Sequence, residues 1–332
     1  MNRVFVTCLM ALFIIIGGAN NIFSQEKPLV VASASMLYDI TLNVAGEEVN
    51  LEMIVPIGGD PHIHEPTPAN ARLVNRADLI LINGLSFEGW INELIENSGT
   101  KGNTITVTQG IDVLNSLTYE NSADPHAWMI AGNGIIYADN IRKALINLLP
   151  EKASTFNENF KTYKSKLQKL EEFIKNQVST IPQEKRILIT SHDAFQYYGR
   201  AYGLKLEAIM GISTDAEAQT SDIMRVNAAI RENKVPAIFI ESTINPKMMK
   251  QIAKDNGVII GGELYADSLG DEDSSADTYI NMLRYNTETI VQALSSGKQK
   301  NKVEERSNIP LYIGIAVFLL ISMIVGIKMM NK

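Results

Sequence analysis

Cysteine is almost absent from this chain of 332 residues: Cys8 is the single one, and it lies in the first apolar run. The rest of the chain therefore excludes both a disulfide and a zinc site made of cysteines. Histidine is also scarce, with four in total. Any metal site in the body of the protein must then combine these histidines with aspartate and glutamate.

A basic surface is missing as well. The formal net charge is −7, the isoelectric point is about 5.3, and no run of Lys and Arg occurs. A nucleic-acid partner is therefore not expected. The sequence also lacks a P-loop, a G-x-S-x-G nucleophile elbow and a zincin helix, which excludes those enzyme classes. With 45% hydrophobic residues, the chain is long enough for one large or two medium globular domains.

The N-terminal residues have the pattern of a secretory signal peptide. Residues 1–24 start with a positive charge at Arg3, continue as an apolar run and end in small polar residues. We expect cleavage near Ser24, and the alternative is an uncleaved anchor helix. Cys8 comes too early in the apolar run to resemble a lipid-attachment cysteine.

A second apolar segment, residues 309–327, lies near the C-terminus. It is about long enough to cross a bilayer, and Lys328 and Lys332 follow it. A polar linker, residues 296–308, precedes it. We therefore expect a periplasmic or extracytoplasmic body that a C-terminal transmembrane helix tethers to the cell membrane.

Between the two ends, short apolar strands alternate with amphipathic helical patterns, which predicts an α/β fold with parallel sheets. Residues 151–179 contain no Gly or Pro and carry apolar residues at helical spacing, so they are predicted to form one long helix. It separates an N-terminal lobe, residues 28–150, from a C-terminal lobe, residues 185–295. Strands are expected at 29–34, 51–57, 79–83, 104–108, 186–191, 205–210, 237–241 and 258–262, and helices at 36–45, 69–76, 88–97, 133–149, 194–202, 220–233, 246–256 and 276–295.

Two of the histidines occur in the same uncommon tripeptide, Asp-Pro-His. The first copy ends at His62 and the second at His126. Proline restricts its own backbone and that of its predecessor, so each histidine is presented on a turn. The aspartate two residues earlier can orient a ligating imidazole. A surface turn histidine is the alternative for each, and the repetition favours a metal ligand.

A third histidine, His192, directly follows a predicted strand and is expected to open a helix with Asp193. Ligands of open α/β sheets bind beyond the carboxyl ends of strands, which favours a binding role for His192. Adjacent Ser, His and Asp residues cannot face one another as a catalytic triad requires.

A carboxylate is needed to complete such a site, and placement favours Asp267 weakly, because it comes just after the last strand. His64 could reach the same ion as His62, but a position at the rim of the site or behind the ligands is preferred. The other carboxylate candidates are Glu263, Asp271, Glu272, Asp273 and Asp277.

These residues fall in four ordered motifs that resemble the zinc/manganese solute-binding proteins of ABC importers, the cluster A-I metal-binding family. The resemblance covers about residues 28–295 and implies two lobes with a metal ion between them. It implies the metal ligands His62, His126, His192 and Asp267. The motifs are Asp60-Pro61-His62 with Glu65-Pro66-Thr67, Asp124-Pro125-His126-Ala127-Trp128, Ser191-His192-Asp193-Ala194-Phe195, and Glu241-Ser242 with Leu264-Tyr265-Ala266-Asp267-Ser268.

Three features depart from that family. Position 64 is His where the family usually has an aromatic residue, residues 112–123 lack a His-rich loop, and the expected anchor is C-terminal. Manganese-selective relatives tend to carry Glu at the third ligand position, so His192 resembles the zinc type and the mixed zinc/manganese type.

The sequence thus predicts a monomeric protein, not an enzyme, that binds zinc, or alternatively manganese, for delivery to an ABC permease and its ATPase. Binding should weaken as the imidazoles protonate near their reference pKa of about 6.5. The alternatives are a metal-dependent hydrolase that uses His62, His126 and His192, and a surface adhesin.

Overall fold

The N-terminal lobe is a parallel four-stranded sheet with helices on both sides. The computed structural model describes residues 26–115, 122–215 and 218–296. The strand order is β2-β1-β3-β4, and Val30 of β1 pairs with Leu51 on one side and Leu79 on the other. The central strands are apolar and buried on both faces, as covered parallel strands require. The elements are β1 (Leu29–Ala32), α1 (Ser35–Ala45), β2 (Asn50–Met53), α2 (Pro68–Arg76), β3 (Leu79–Ile82), α3 (Ile91–Ser98), β4 (Asn103–Thr106) and α4 (Ala131–Leu148).

The C-terminal lobe repeats this arrangement with two parallel strand pairs. β5 pairs with β6, β7 pairs with β8, and β5 lies beside β7. Within each pair the carboxyl ends share one edge, and the histidine after β5 and the aspartate after β8 lie together there. The elements are β5 (Ile187–Thr190), α6 (Gln196–Tyr202), β6 (Lys205–Ala208), α7 (Thr220–Asn233), β7 (Ala237–Glu241), α8 (Lys247–Asn256), β8 (Ile259–Leu264) and α9 (Tyr279–Ser296).

One long helix, α5 (Ala153–Ser179), joins the lobes. It packs against α1 and α4 of the N-terminal lobe and against α6 and α9 of the C-terminal lobe. Its buried stripe belongs to a single apolar core that includes Val30 of β1 and Phe239 of β7. The lobes therefore share a core, because burying apolar surface on both sides of α5 stabilises them together. The buried residues of α5 are Phe156, Tyr163, Leu167, Leu170, Ile174 and Val178.

Helices α2 and α7 each begin with a capping box. The prediction that Thr67 caps α2 ahead of Pro68 is confirmed: the Thr67 hydroxyl accepts a hydrogen bond from the Asn70 backbone N–H. The expectation that His192 and Asp193 open a helix is wrong, since α6 begins at Gln196. Their backbone N–H groups bond instead to the Glu241 carboxylate and to the Gly211 carbonyl. Those contacts fix an extended turn in place of a helical one.

Among the described residues, no helix is both long and apolar enough to cross a membrane. The predicted signal peptide at 1–24 and the predicted transmembrane anchor at 309–327 lie outside the described residues, so both stay predictions. The same holds for the linker apart from Ser296, which is the last residue of α9.

Candidate metal centre

The four candidate ligands meet in the cleft between the lobes, two from each side. His62 lies on the loop between β2 and α2, and His126 directly precedes the short 3-10 turn Ala127–Met129. His192 follows β5 and Asp267 follows β8. One potential ligand atom from each of these residues lies within 4.8 Å of the others. The structure therefore brings together residues that are up to 205 positions apart in sequence, 62 to 267.

Their spacing fits one small ion. Asp267 lies 3.3 Å from Nε2 of His126, 3.1 Å from Nε2 of His192 and 3.9 Å from Nε2 of His62. The Nε2 atoms of His62 and His126 are 3.3 Å apart. Tetrahedral bonds of about 2.1 Å place neighbouring donor atoms about 3.4 Å apart, which is the middle of this range.

Several polar atoms at the centre have no hydrogen-bond partner among the described residues. Within the described chain, both carboxylate oxygens of Asp267 and Nε2 of His192 are buried with no properly aligned hydrogen-bond partner. Burying such groups unsatisfied is costly. A divalent cation at the point where they converge would satisfy all of them, so the residues present fit a metal ion.

Two carboxylates orient the buried imidazoles. Nδ1 of His126 is 2.7 Å from Asp124, whose Oδ1 also accepts the His126 backbone N–H at 2.9 Å. Nδ1 of His192 is 2.6 Å from Oε2 of Glu241, whose Oε1 accepts the His192 backbone N–H at 2.9 Å. The hydrogen bond to Asp124 places a proton on Nδ1 of His126 and turns its Nε2 toward the centre, as outer-shell carboxylates do in metal sites. The Glu241 carboxylate lies within ion-pair distance of Nδ1 of His192 and anchors the backbone of that residue.

The orienting role of Asp124 was expected from the Asp-Pro-His repeat. Glu241 was noted only as part of a motif, without a role. Its position at the carboxyl end of β7, beside the strand that precedes His192, is the signal that could have revealed it.

Aromatic residues exclude water from the N-terminal side of the centre. The Phe87 ring meets the edge of His62 at 4.9 Å and packs 4.6 Å from Trp128. Phe87 is presented by a turn in which Leu85 and Ser86 have φ values of 54° and 62°. Such values are strained for residues with side chains. Glu88 holds the turn by accepting the Asn83 N–H at 2.8 Å.

His64 lies outside the ligand group. Its ring packs 4.9 Å from that of Trp90 and the residue is half-buried, which agrees with a position at the rim. Glu263, Asp271, Glu272, Asp273 and Asp277, the other carboxylates considered from the sequence, are likewise absent from the group that could hold a metal.

The environment of the centre separates the protonation states of the histidines. Burial lowers the pKa of His62 to about 3, so this imidazole is neutral. Burial also acts to lower the pKa of His126, but the Asp124 and Asp267 carboxylates outweigh it and raise that pKa to about 9. Burial also acts to lower the pKa of His192. The Glu241 and Asp267 carboxylates outweigh this effect and raise the His192 pKa well above its ordinary value.

These pKa shifts move the expected pH window for metal binding upward from 6.5. His126 has a raised pKa of about 9, so at neutral pH its ring carries a proton that the metal must displace. Raising the pH removes this proton, and the apparent association constant should grow about tenfold per pH unit for each proton displaced. We expect this growth to continue between about pH 6.5 and pH 9. Titration calorimetry in buffers of different ionisation enthalpy measures the protons released, and zero release at pH 7.5 would contradict the prediction.

Known proteins resemble the chain over almost all of its described length. The family model described as zinc-uptake complex component A, periplasmic, matches residues 30–293. The manganese ABC transporter substrate-binding lipoprotein PsaA of Streptococcus anginosus is 36% identical over 295 residues, which are 86% of this chain and 96% of that protein. The manganese-binding lipoprotein MntA of Halalkalibacterium halodurans is 39% identical over 266 residues, covering 80% of this chain and 88% of that protein.

Solved structures of related proteins also resemble this chain. The periplasmic zinc binding protein TroA from Treponema pallidum superposes with a TM-score of 0.77 at 35% identity, covering 81% of this chain and 99% of that one. These relatives are transport proteins, so the hydrolase alternative is wrong, whereas the adhesin alternative stays a prediction. With its two α/β lobes, its linking helix and its cleft of histidines, the chain belongs to the family of metal-binding substrate-binding proteins of ABC importers.

Proposed function

We propose that this protein captures a divalent transition-metal ion outside the cytoplasm and delivers it to an ABC permease driven by its ATPase. His62, His126, His192 and Asp267 are the proposed ligands. The observation that carries the proposal is the convergence of four ligand atoms within 4.8 Å in a buried cleft. The extracytoplasmic location rests on the leader pattern at 1–24 and on relatives that are named lipoproteins.

Four protein donors suit capture better than catalysis. A catalytic zinc site keeps one position open for water, with three protein ligands. Here Asp267 occupies the fourth corner, between the Nε2 atoms of His126 and His192. A closed coordination shell holds the ion without activating a water molecule, which is what a transport protein needs.

The donor set favours zinc in affinity and accepts manganese. Imidazole is a good ligand for Zn²⁺, and zinc complexes of a given site are generally tighter than manganese ones. The Asp267 carboxylate can also bind Mn²⁺ through both oxygens. The two sequence relatives described above are named for manganese, and the structural relative is named for zinc. We therefore propose that both ions are bound and that zinc is bound more tightly.

Competition between the two ions tests the proposal. Protein stripped of metal is titrated with Mn²⁺ and with Zn²⁺, and the bound metal is measured after dialysis. We expect one ion per chain in each case, and displacement of bound Mn²⁺ by added Zn²⁺. Binding well below one ion per chain with both metals would refute the function. Bound Mn²⁺ that resists excess Zn²⁺ would refute the proposed order of affinity.

A further inference from the structure

The loop that carries His62 is held to the opposite lobe by two hydrogen bonds. At its start, the Gly58 backbone N–H donates to the Ser268 hydroxyl at 2.7 Å. Two residues later, the Asp60 Oδ2 atom accepts a hydrogen bond from the Thr214 hydroxyl at 2.6 Å. Both partners belong to the C-terminal lobe. Residues 58–64, called the His62 loop from here on, are therefore attached to the C-terminal lobe by these two hydrogen bonds.

Asp60 connects Thr214 to the metal centre through hydrogen bonds. While its Oδ2 accepts from Thr214, its Oδ1 accepts the backbone N–H of His62 at 2.9 Å. One carboxylate thus connects a hydroxyl of the C-terminal lobe to the backbone of a candidate ligand. A carboxylate makes strong hydrogen bonds to both partners because it is charged. The position of His62 is therefore coupled to the Thr214 side chain.

The other three candidate ligands lie in the buried interior and are held there by buried contacts. His126 and Asp267 are 0% exposed, and the Trp128 indole N–H donates to the carbonyl of Ala266, the neighbour of Asp267, at 2.9 Å. This bond joins the two lobes directly beneath the centre. His192 is 0% exposed and is held by Glu241. Displacing any of these three would disrupt buried contacts of the shared core.

His62 differs because its loop lies at the surface. The His62 side chain itself is 2% exposed, whereas the neighbouring Ile63 is 53% exposed. The loop begins at Gly58, which has a φ of 79° and open space around it, a position where glycine changes conformation at little cost. Movement of this loop would remove one of four metal donors while leaving the core intact.

We propose that Thr214 is a positioning residue that holds the His62 loop closed over the bound ion, so that breaking the Thr214–Asp60 hydrogen bond opens the site for metal exchange. This inference rests on the proposed function of the site. Ser268 is a poorer candidate for an independent switch, because it neighbours Asp267 and also contacts Ser35 in the buried interior. Thr214 is half-buried and lies away from the candidate ligands in sequence.

Substitution of Thr214 tests the inference through the rate of metal loss. Purified full-length protein is loaded with Zn²⁺ and mixed with excess EDTA in a stopped-flow instrument. We expect Thr214→Val to release the ion about tenfold faster, the size typical of one lost hydrogen bond to a charged group. Thr214→Ser keeps the hydroxyl and should restore release to within about twofold of wild type. Thr220→Val makes the same substitution at an exposed position at the start of α7 and should leave release unchanged.

Two further measurements and a second variant separate this role from a structural one. All variants should still bind one ion per chain, and the melting temperature of the metal-stripped protein should not change. Thr214→Ala provides the same test if the valine variant fails to fold. Release by both hydroxyl-free variants within twofold of wild type would overturn the inference alone. Failure of the wild-type protein to bind one ion per chain would overturn the proposed function as well.

Discussion

Asp267→Asn is expected to abolish stoichiometric metal binding. Asp267 is the single carboxylate among the four candidate ligands, and its oxygens lie 3.3 Å and 3.1 Å from the Nε2 atoms of His126 and His192. An uncharged amide is a weak ligand for Zn²⁺ and Mn²⁺, and it does not offset the charge of the ion in this buried cleft. We expect affinity to fall by more than about 100-fold, beyond the loss typical of an outer-shell change. Equilibrium titration and metal analysis after dialysis measure the effect.

A matched control is available four residues further along the chain. Asp271 is an exposed carboxylate, and Asp271→Asn should bind metal as the wild-type protein does. His192→Ala should lose binding as Asp267→Asn does, although it leaves the buried carboxylate of Glu241 without its imidazole. Circular dichroism must therefore show that each variant is folded. Binding of one ion per chain at wild-type affinity by folded Asp267→Asn would refute the ligand assignment.

Glu241→Gln should weaken binding while preserving one ion per chain. The carboxylate of Glu241 accepts the His192 backbone N–H and lies 2.6 Å from Nδ1 of the same residue. A glutamine can accept one of these hydrogen bonds through its oxygen, but its amide group then places a donor against the Nδ1 proton. The imidazole rotates or changes tautomer, and Nε2 is no longer presented to the metal. Loss of such outer-shell partners typically costs about 10- to 100-fold in metal affinity.

The same titration distinguishes this effect from a general effect of removing charge. Glu232 is exposed near the end of α7, so Glu232→Gln changes the net charge equally but lies away from the cleft. We expect it to bind metal with wild-type affinity. If Glu241→Gln bound metal as tightly as Glu232→Gln, the orienting role of Glu241 would be wrong.

Much of the candidate centre could be predicted from local sequence, because three ligands carry local signals. His62 and His126 share the Asp-Pro-His turn, and His192 follows a buried strand. The local sequence distinguishes Asp267 from five other carboxylates only by its position after the last strand. The family resemblance is what identifies Asp267 as a ligand. The expected strands coincide with observed ones, although most are one to three residues longer than the strands of the structure. For β2, the regular strand ends at Met53, although the N–H groups of Ile54 and Val55 still donate to Ala32 and Ser33, and Pro56 has no N–H to continue this pairing.

Contacts between distant segments could not be predicted, because no spacing rule connects them. Thr214 and Asp60 are 154 residues apart, and Glu241 and His192 are 49 residues apart. The late start of α3 has a similar origin. Glu88 was expected to begin that helix, but its carboxylate is used to hold the strained turn at Leu85 and Ser86. The same carboxylate also accepts a hydrogen bond from the Ser33 hydroxyl, 55 residues away, so a distant contact together with the local ones overrides helix preference there.

The apolar core that surrounds α5 and extends into both lobes limits how far the lobes can rotate against each other. A wide rotation would separate the packed side chains of that core and expose them to water. The free-energy cost would be far above that of breaking a few hydrogen bonds. The outlines of the loaded and empty proteins must then be nearly the same. On the proposed function and the proposed role of Thr214, the permease would distinguish them by the position of the His62 loop.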